Sequence, residues 1–155
     1  MVGIPRNIQV FRKHPKVLLP RRAIAGAVGF DVHAFLLTES DRPSTKQIPR
    51  MNTVAIPTGL VMRPPSGFFL QCCSRSGLAM KSLFVANAPG IIDPDYSGEI
   101  FILLFNGSYE TQYVQHEQRI AQLILSPIVT CDIAESKLPL QASGRGEAGF
   151  GSTGL

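Results

Sequence analysis

The chain has 155 residues, 45% hydrophobic and 17% charged, with a net charge of +4. That length fits one domain with a buried core, and that balance excludes a disordered chain. No apolar run approaches the roughly 20 residues that cross a bilayer as a helix, and Met1-Val2-Gly3-Ile4-Pro5-Arg6 offers neither a secretory leader nor a glycine at position 2 for myristoylation, so no membrane association is expected.

In chain order, residues 1–30 hold Arg6, Arg12, Lys13, Lys16, Arg21 and Arg22 and no acid. The plain reading is a solvated basic edge; the other is a docking region for a protein partner. Aromatics are not interleaved with the charges, so nucleic acid is not an expected partner. Strand-like runs rich in Val, Ile, Leu and Phe follow at 8–11, 29–34, 53–56, 68–73, 99–105, 120–125 and 128–133. Residues 41–50 are polar and basic and read as an exposed loop. Residues 76–82 predict a helix of about two turns, with Ser76 as its cap. Residues 87–99 read as a hairpin around an acidic turn. From Ser136 onward strand character is lost, and the last twelve residues hold five glycines.

Helical periodicity is otherwise nearly absent. Short strands punctuated by 14 glycines and 12 prolines predict an all-β sandwich, jelly roll or barrel. The expected organisation is one β-barrel domain over 1–135 and a flexible C-terminal arm over 136–155 that orders on a ligand or partner.

Three segments carry candidate chemistry. In the tail, glycine N–H groups can nest an anion, Arg145 adds a bidentate donor, Ser152 and Thr153 add hydroxyls, and Phe150 can cover a flat ring. A linker end is the alternative. At Arg75-Ser76-Gly77, a strand-to-helix junction offers N–H groups suited to phosphate, against an ordinary cap with a surface arginine. In the 87–99 segment, backbone groups can read one edge of a pyrimidine, and Asp93, after Ile91-Ile92, can act as a base; simple turn chemistry is the alternative.

Of the three cysteines, Cys72 and Cys73 are adjacent and poorly placed to bridge, and Cys131 stands alone. Such a set fits a reducing compartment, so an intracellular location, cytoplasmic or nuclear, is expected. His14, His33 and His116 are scattered and no C-x-x-C occurs, so no protein-ligated zinc site is expected.

With two further stretches, these segments resemble the five ordered motifs of the trimeric all-β dUTPase family. The stretches are Ala25-Gly26-Ala27-Val28-Gly29-Phe30-Asp31-Val32-His33-Ala34, Arg75-Ser76-Gly77-Leu78-Ala79, Gly90-Ile91-Ile92-Asp93-Pro94-Asp95-Tyr96-Ser97-Gly98-Glu99, Arg119-Ile120-Ala121-Gln122-Leu123-Ile124 and Arg145-Gly146-Glu147-Ala148-Gly149-Phe150-Gly151-Ser152-Thr153-Gly154. Two departures stand out: Glu117-Gln118 where the family has Gly-Asp, and Ala148 for a common glycine.

The resemblance implies a distorted jelly-roll barrel with one short helix and a glycine-rich arm. It implies hydrolysis of dUTP to dUMP and pyrophosphate by water attack on the α-phosphorus. Asp93 matches the general base and Gln122 a residue beside the α-phosphate. Arg75, Ser76 and Gly77 match phosphate-holding groups, and Arg145, Gly151, Ser152 and Thr153 a clamp on the γ-phosphate. Asn87, Gly90 and Ile92 match uracil contacts, Tyr96 the aromatic on deoxyribose and Phe150 a cover over uracil. Mg2+ is the implied cofactor, with Asp31 holding it through water, and a homotrimer with shared sites the implied assembly. The same fold serves dCTP deaminases, bifunctional deaminase–pyrophosphatases and regulatory binding proteins, which are the alternatives.

Overall fold

The computed structural model describes residues 7–139, and among them strands dominate. In chain order they are β1 (Gln9–Arg12), β2 (Phe30–His33), β3 (Thr45–Ile48), β4 (Thr53–Pro57), β5 (Leu60–Arg63), β6 (Phe68–Cys73), β7 (Leu83–Val85), β8 (Gly90–Ile92), β9 (Phe101–Asn106), β10 (Gln112–Gln115) and β11 (Arg119–Pro127), with one helical turn, α1 (Ser76–Ala79), after β6. The chain is an all-β barrel of the jelly-roll type. A four-stranded sheet runs β2-β11-β6-β8, a three-stranded sheet β4-β9-β7, and two pairs, β1-β5 and β10-β3, close the rest. Every pairing is antiparallel.

Period-two alternation decides what goes inside. Val32, Ile48, Ile56, Leu60, Leu70, Leu83, Ile102, Leu104, Val114, Ile120 and Leu123 form one continuous core. Two polar residues are buried with them. Asn106 donates to the carbonyls of Ile48 (2.9 Å) and Glu110 (2.8 Å), and Thr58 donates to Ile100 O (2.6 Å), so neither is left unpaired.

Four expectations are corrected. Residues 128–133 form no strand: after Pro127 the last sheet-like bond is Ile128 N–H to Gly67 O (2.8 Å), and Val129 and Ile133 are 83% and 101% exposed. Apolar composition makes a strand only where a neighbour offers a ladder. The 41–50 loop contains β3, an edge strand paired with β10, whose only inward apolar residue is Ile48. The helix is a single turn; Arg75, not Ser76, holds the cap position and makes no side-chain cap bond, and the chain turns away at Ser82 with φ +57°. The 87–99 hairpin does not form: β8 pairs with β6, whereas β9 pairs with β4 and β7. The strands β5, β7 and β10 fall outside the predicted runs.

Candidate active site

The centre of the four-stranded sheet positions a set of polar groups. Asp31 on β2 lies opposite Gln122 on β11, which lies opposite Cys73 on β6. His33 lies opposite Arg119 on the same pair of strands. In a regular strand Arg119 and Gln122, three apart, would point to opposite faces. A bulge between Arg119 and Ala121 inserts the extra residue. It buries both Ile120 and Ala121 and leaves Arg119 and Gln122 on the side of Asp31.

Beyond Cys73 the chain continues through Ser74 into Arg75, Ser76 and Gly77. Together with Ala23, Ala27, Gly29, Asp31 and Gln122 they line a polar pocket of about 180 Å³. Arg75 Nε donates to Asp31 Oδ1 (2.8 Å) and Arg119 Nη1 to Asp31 Oδ2 (3.2 Å); Arg75 Nη1 also reaches the Arg119 carbonyl (3.4 Å). One carboxylate thus orders two guanidiniums and leaves an excess positive charge. A guanidinium has five N–H groups, so Arg75 retains donors for an anion. Gln122 Nε2 donates to Ser74 O (3.0 Å), which turns its side-chain oxygen toward Gly29. Around Gly77 there is open space.

A second pocket, about 270 Å³, lies where β8 leaves β6. Cys72, Val85 and Ile100, all buried, form its floor. Asn87, Gly90, Ile92, Asp93 and Tyr96 line its polar side, and Phe101 and Leu103 its outer wall. An apolar slot with a few polar groups is the usual make-up of a small-molecule site. A Cβ at Gly90 would come within 3.0 Å of Asn87 Nδ2 and 3.4 Å of Cys72 Cβ, so glycine lets the asparagine lie against the strand. The Tyr96 hydroxyl donates to Glu99 O (2.9 Å), and its ring fills the space a side chain at Gly98 would need. The phenol is therefore fixed, with the residue 45% exposed. Asp93 stands exposed at the pocket mouth, just past β8.

Cys72 behaves as a packing group, whereas Cys131 is exposed. Burial, with Cys73 adding to it, pushes the Cys72 thiol up to about 12, so it is protonated at neutral pH. His33 has a buried Nδ1 without a partner, and burial lowers its pKa against the pull of Asp31. It lines neither pocket.

The structure therefore gathers Asp31, Arg75, Ser76, Gly77 and Gln122 in one place and Asn87, Gly90, Ile92, Asp93 and Tyr96 in another. The two pockets share no lining residue. Arg145, Phe150, Gly151, Ser152 and Thr153, and with them the proposed arm, lie outside the described residues. Two site-building residues were given no role from sequence, although Arg119 opens one of the quoted motif stretches. Arg119 meets Asp31 from 88 positions away, and Ser74 touches elements that follow it by 11 and 48 positions; no local pattern marks such contacts. Glu99, read as part of the hairpin, instead accepts from Gly59 N–H (2.9 Å) and pairs with Lys13 (2.8 Å).

Among the described residues no group of three His, Cys, Asp or Glu is placed to hold a metal. Asp31 is the one carboxylate in the polar pocket. Each of its oxygens takes one guanidinium N–H and keeps a second lone pair. That fits a cation carried mainly by phosphates and waters, as magnesium commonly is, and not a closed protein cage. No described helix is long and apolar enough to cross a membrane.

The architecture matches solved structures of phage dUTPases. A dUTPase of Staphylococcus bacteriophage 80alpha bound to dUpNHpp superposes with a TM-score of 0.81 at 22% identity, over 96% of this chain and 99% of that one. The dUTPase of phage phi11 of S. aureus, a structure described as coordinating a structural Mg(II) ion, superposes at 0.74 and 20% identity over 88% and 100%. At these identities the likeness is one of fold. In sequence, the dUTPase family model matches residues 16–154. Deoxyuridine 5'-triphosphate nucleotidohydrolases of Wolinella succinogenes (36% identical, 96% of this chain and 94% of that one) and avian adenovirus 8 (40%, 94% and 83%) align over nearly the whole length. The chain belongs to the dUTPase family.

Proposed function

We propose that the two pockets are complementary parts of the site at which this dUTPase hydrolyses dUTP to dUMP and pyrophosphate. What supports the reading is the division of chemistry between them: guanidinium, hydroxyl and amide groups suited to phosphate in one, an apolar slot edged by backbone and an asparagine in the other. The slot takes uracil, with Asn87 and the backbone of Gly90 and Ile92 along its polar edge. Tyr96 lies against deoxyribose, where its fixed ring excludes a 2′-hydroxyl.

Arg75, Ser76 and Gly77 hold the phosphates. Asp93 accepts a proton from a water as that water attacks the α-phosphorus in line. The bond from phosphorus to the bridging oxygen breaks, and pyrophosphate leaves with its electron pair. Gln122 orients the α-phosphate and the attacking water. A positioned base contributes about 10²–10⁴-fold. When bound, Mg2+ supplies charge neutralisation on the phosphates, and Asp31 is the residue that holds it through water. Arg145, Gly151, Ser152 and Thr153 clamp the γ-phosphate and Phe150 covers the uracil, so deleting 140–155 should lower kcat/KM sharply while leaving a folded chain.

The assembly we propose is a homotrimer. The two pockets share no lining residue, and in the assembly we propose a complete site combines one pocket from each of two copies. The contact surface is the outward side of the β4-β9-β7 sheet. Phe84, Phe101 and Leu103 are exposed there, and Phe84 packs against Phe105. Both faces of β9 are apolar, as in strands covered on both sides. Phe101 and Leu103 also wall the second pocket, so a copy seated on that sheet lies beside the site.

The decisive measurement is pyrophosphate release from dUTP, dCTP, dTTP and UTP in parallel, each with magnesium and with EDTA. Turnover should be confined to dUTP with magnesium. Ammonia release from dCTP would show a deaminase instead, and equal use of UTP would remove the role given to Tyr96.

A further inference from the structure

We propose that Ser74 is a positioning residue: it fixes the base-reading loop on the end of β6, and in the shared-site trimer proposed above that loop and the Gln122 of the same chain serve neighbouring sites. The inference rests on the site reading above. Ser74 sits between Cys73, the last residue of β6, and Arg75. Its hydroxyl accepts the backbone N–H of Val85 (2.9 Å), and its carbonyl accepts Nε2 of Gln122 (3.0 Å). A single residue thus bonds to both pockets at once.

The Val85 bond has no substitute in the fold. β7 is an edge strand of its sheet, paired only with β9. Ala86 donates to Leu103 O on β9 (2.8 Å), so by alternation the Val85 N–H faces away from β9. Val85 is 3% exposed, which keeps water from that N–H. From Val85 the chain makes the turn that carries Asn87, closed by Ala88 N–H to Val85 O (3.2 Å), and then enters β8 at Gly90. Ser74 therefore ties the four-stranded sheet to the three-stranded sheet at the point where the loop departs. The two bonds use different parts of the residue: the loop depends on the side chain, Gln122 on the backbone.

That separation sets the test. Kinetics with dUTP and dCTP are compared for wild type, S74A, S74C and S74T, with thermal unfolding alongside. S74A should raise KM for dUTP about tenfold, equivalent to about 1.4 kcal/mol, and lower the dUTP-to-dCTP ratio of kcat/KM. Its kcat should stay within about twofold, because the carbonyl on Gln122 is unchanged. S74T, which restores the hydroxyl, should return KM and discrimination to wild-type values. S74C, nearly isosteric and a weak acceptor, should fall between, and it carries the test if S74A does not fold. Unchanged KM in S74A and S74C overturns the inference, as does a loss confined to kcat or one that S74T fails to rescue. A wild-type protein that releases no pyrophosphate from dUTP would sink the site reading itself, a distinct result from a silent Ser74.

Discussion

Gly29 on the approach to β2 and Gln122 on β11 fit as a pair: a Cβ at position 29 would collide with the side-chain oxygen of Gln122 and come within 3.1 Å of its Cβ. The glutamine can swing aside only by giving up its bond to Ser74 O. G29A should therefore misplace the amide at the α-phosphate. A shift of about 1 Å at a reacting centre can cost 10²-fold, so kcat should fall about tenfold to a hundredfold. Melting temperature should change little, and steady-state kinetics with a thermal scan would separate the two.

Asp93 gives the sharpest kinetic prediction. Asp93→Asn keeps the shape at the pocket mouth and removes the proton acceptor. Turnover should fall by about 10²–10⁴ while dUTP affinity, measured by calorimetry, changes only slightly. A variant with wild-type kcat would refute the assignment.

Asp31 orders Arg75 and Arg119 from the floor of the polar pocket. Asp31→Ala leaves two guanidiniums facing one another without their shared partner. We expect a loss of about 1 kcal/mol in urea unfolding, because both guanidiniums keep access to water. We also expect a higher magnesium concentration for half-maximal turnover. An unchanged magnesium requirement would separate Asp31 from the metal.

How these groups meet was only partly legible in the chain. Ile102 and Leu104 lie in an unbroken apolar run that reads as a buried strand, and β6 and β11 were found in nearly their true places. The bulge that aligns Arg119 with Gln122 was not readable, because Ile120-Ala121 looks the same in a regular strand. The hairpin expected at 87–99 failed because turn residues announce a reversal but not which sheet each arm joins; Gly90 goes to Cys72 and Leu104 to Val54 and Val85. β3 was missed because Thr45, Lys46 and Gln47 are all exposed on an edge, leaving Ile48 as its only core signal. The motif stretches were legible as runs of sequence because they carry unusual residue types, glycine beside arginine, serine and aspartate, at fixed places along the chain.

Asn106 serves as a stability control. It is fully buried and holds five partners: the carbonyls of Ile48 and Glu110, the N–H and hydroxyl of Ser108, and the Gln112 amide. Asn106→Ala strands several of these at about 1–3 kcal/mol each, and a net loss of about 2–4 kcal/mol is expected in urea unfolding. Below the melting range its kcat should match wild type.

Cys72 sets an alkaline limit. In the unfolded chain the thiol titrates near its ordinary value of 9.0, whereas in the fold it holds its proton to about 12. Across that window the native state binds more protons than the unfolded state, so stability falls as pH rises. Cys72→Val should flatten the decline in melting temperature between these values. With iodoacetamide at pH 8, exposed Cys131 should react while Cys72 stays protected until unfolding. Equal labelling of both would contradict the burial argument.

The two-sided apolar character of β9 has a cost before assembly. Phe101-Ile102-Leu103-Leu104-Phe105 is a run of the kind that stacks into cross-β fibrils when left uncovered. The chain shields one side of it within its own core and leaves Phe101 and Leu103 exposed on the other, the side proposed above as the trimer contact. Because β4 and β7 occupy both edges of β9, the hazard lies in chains that have not yet folded, and association on the outward side would guard the run against self-templated deposition by holding the sheet closed.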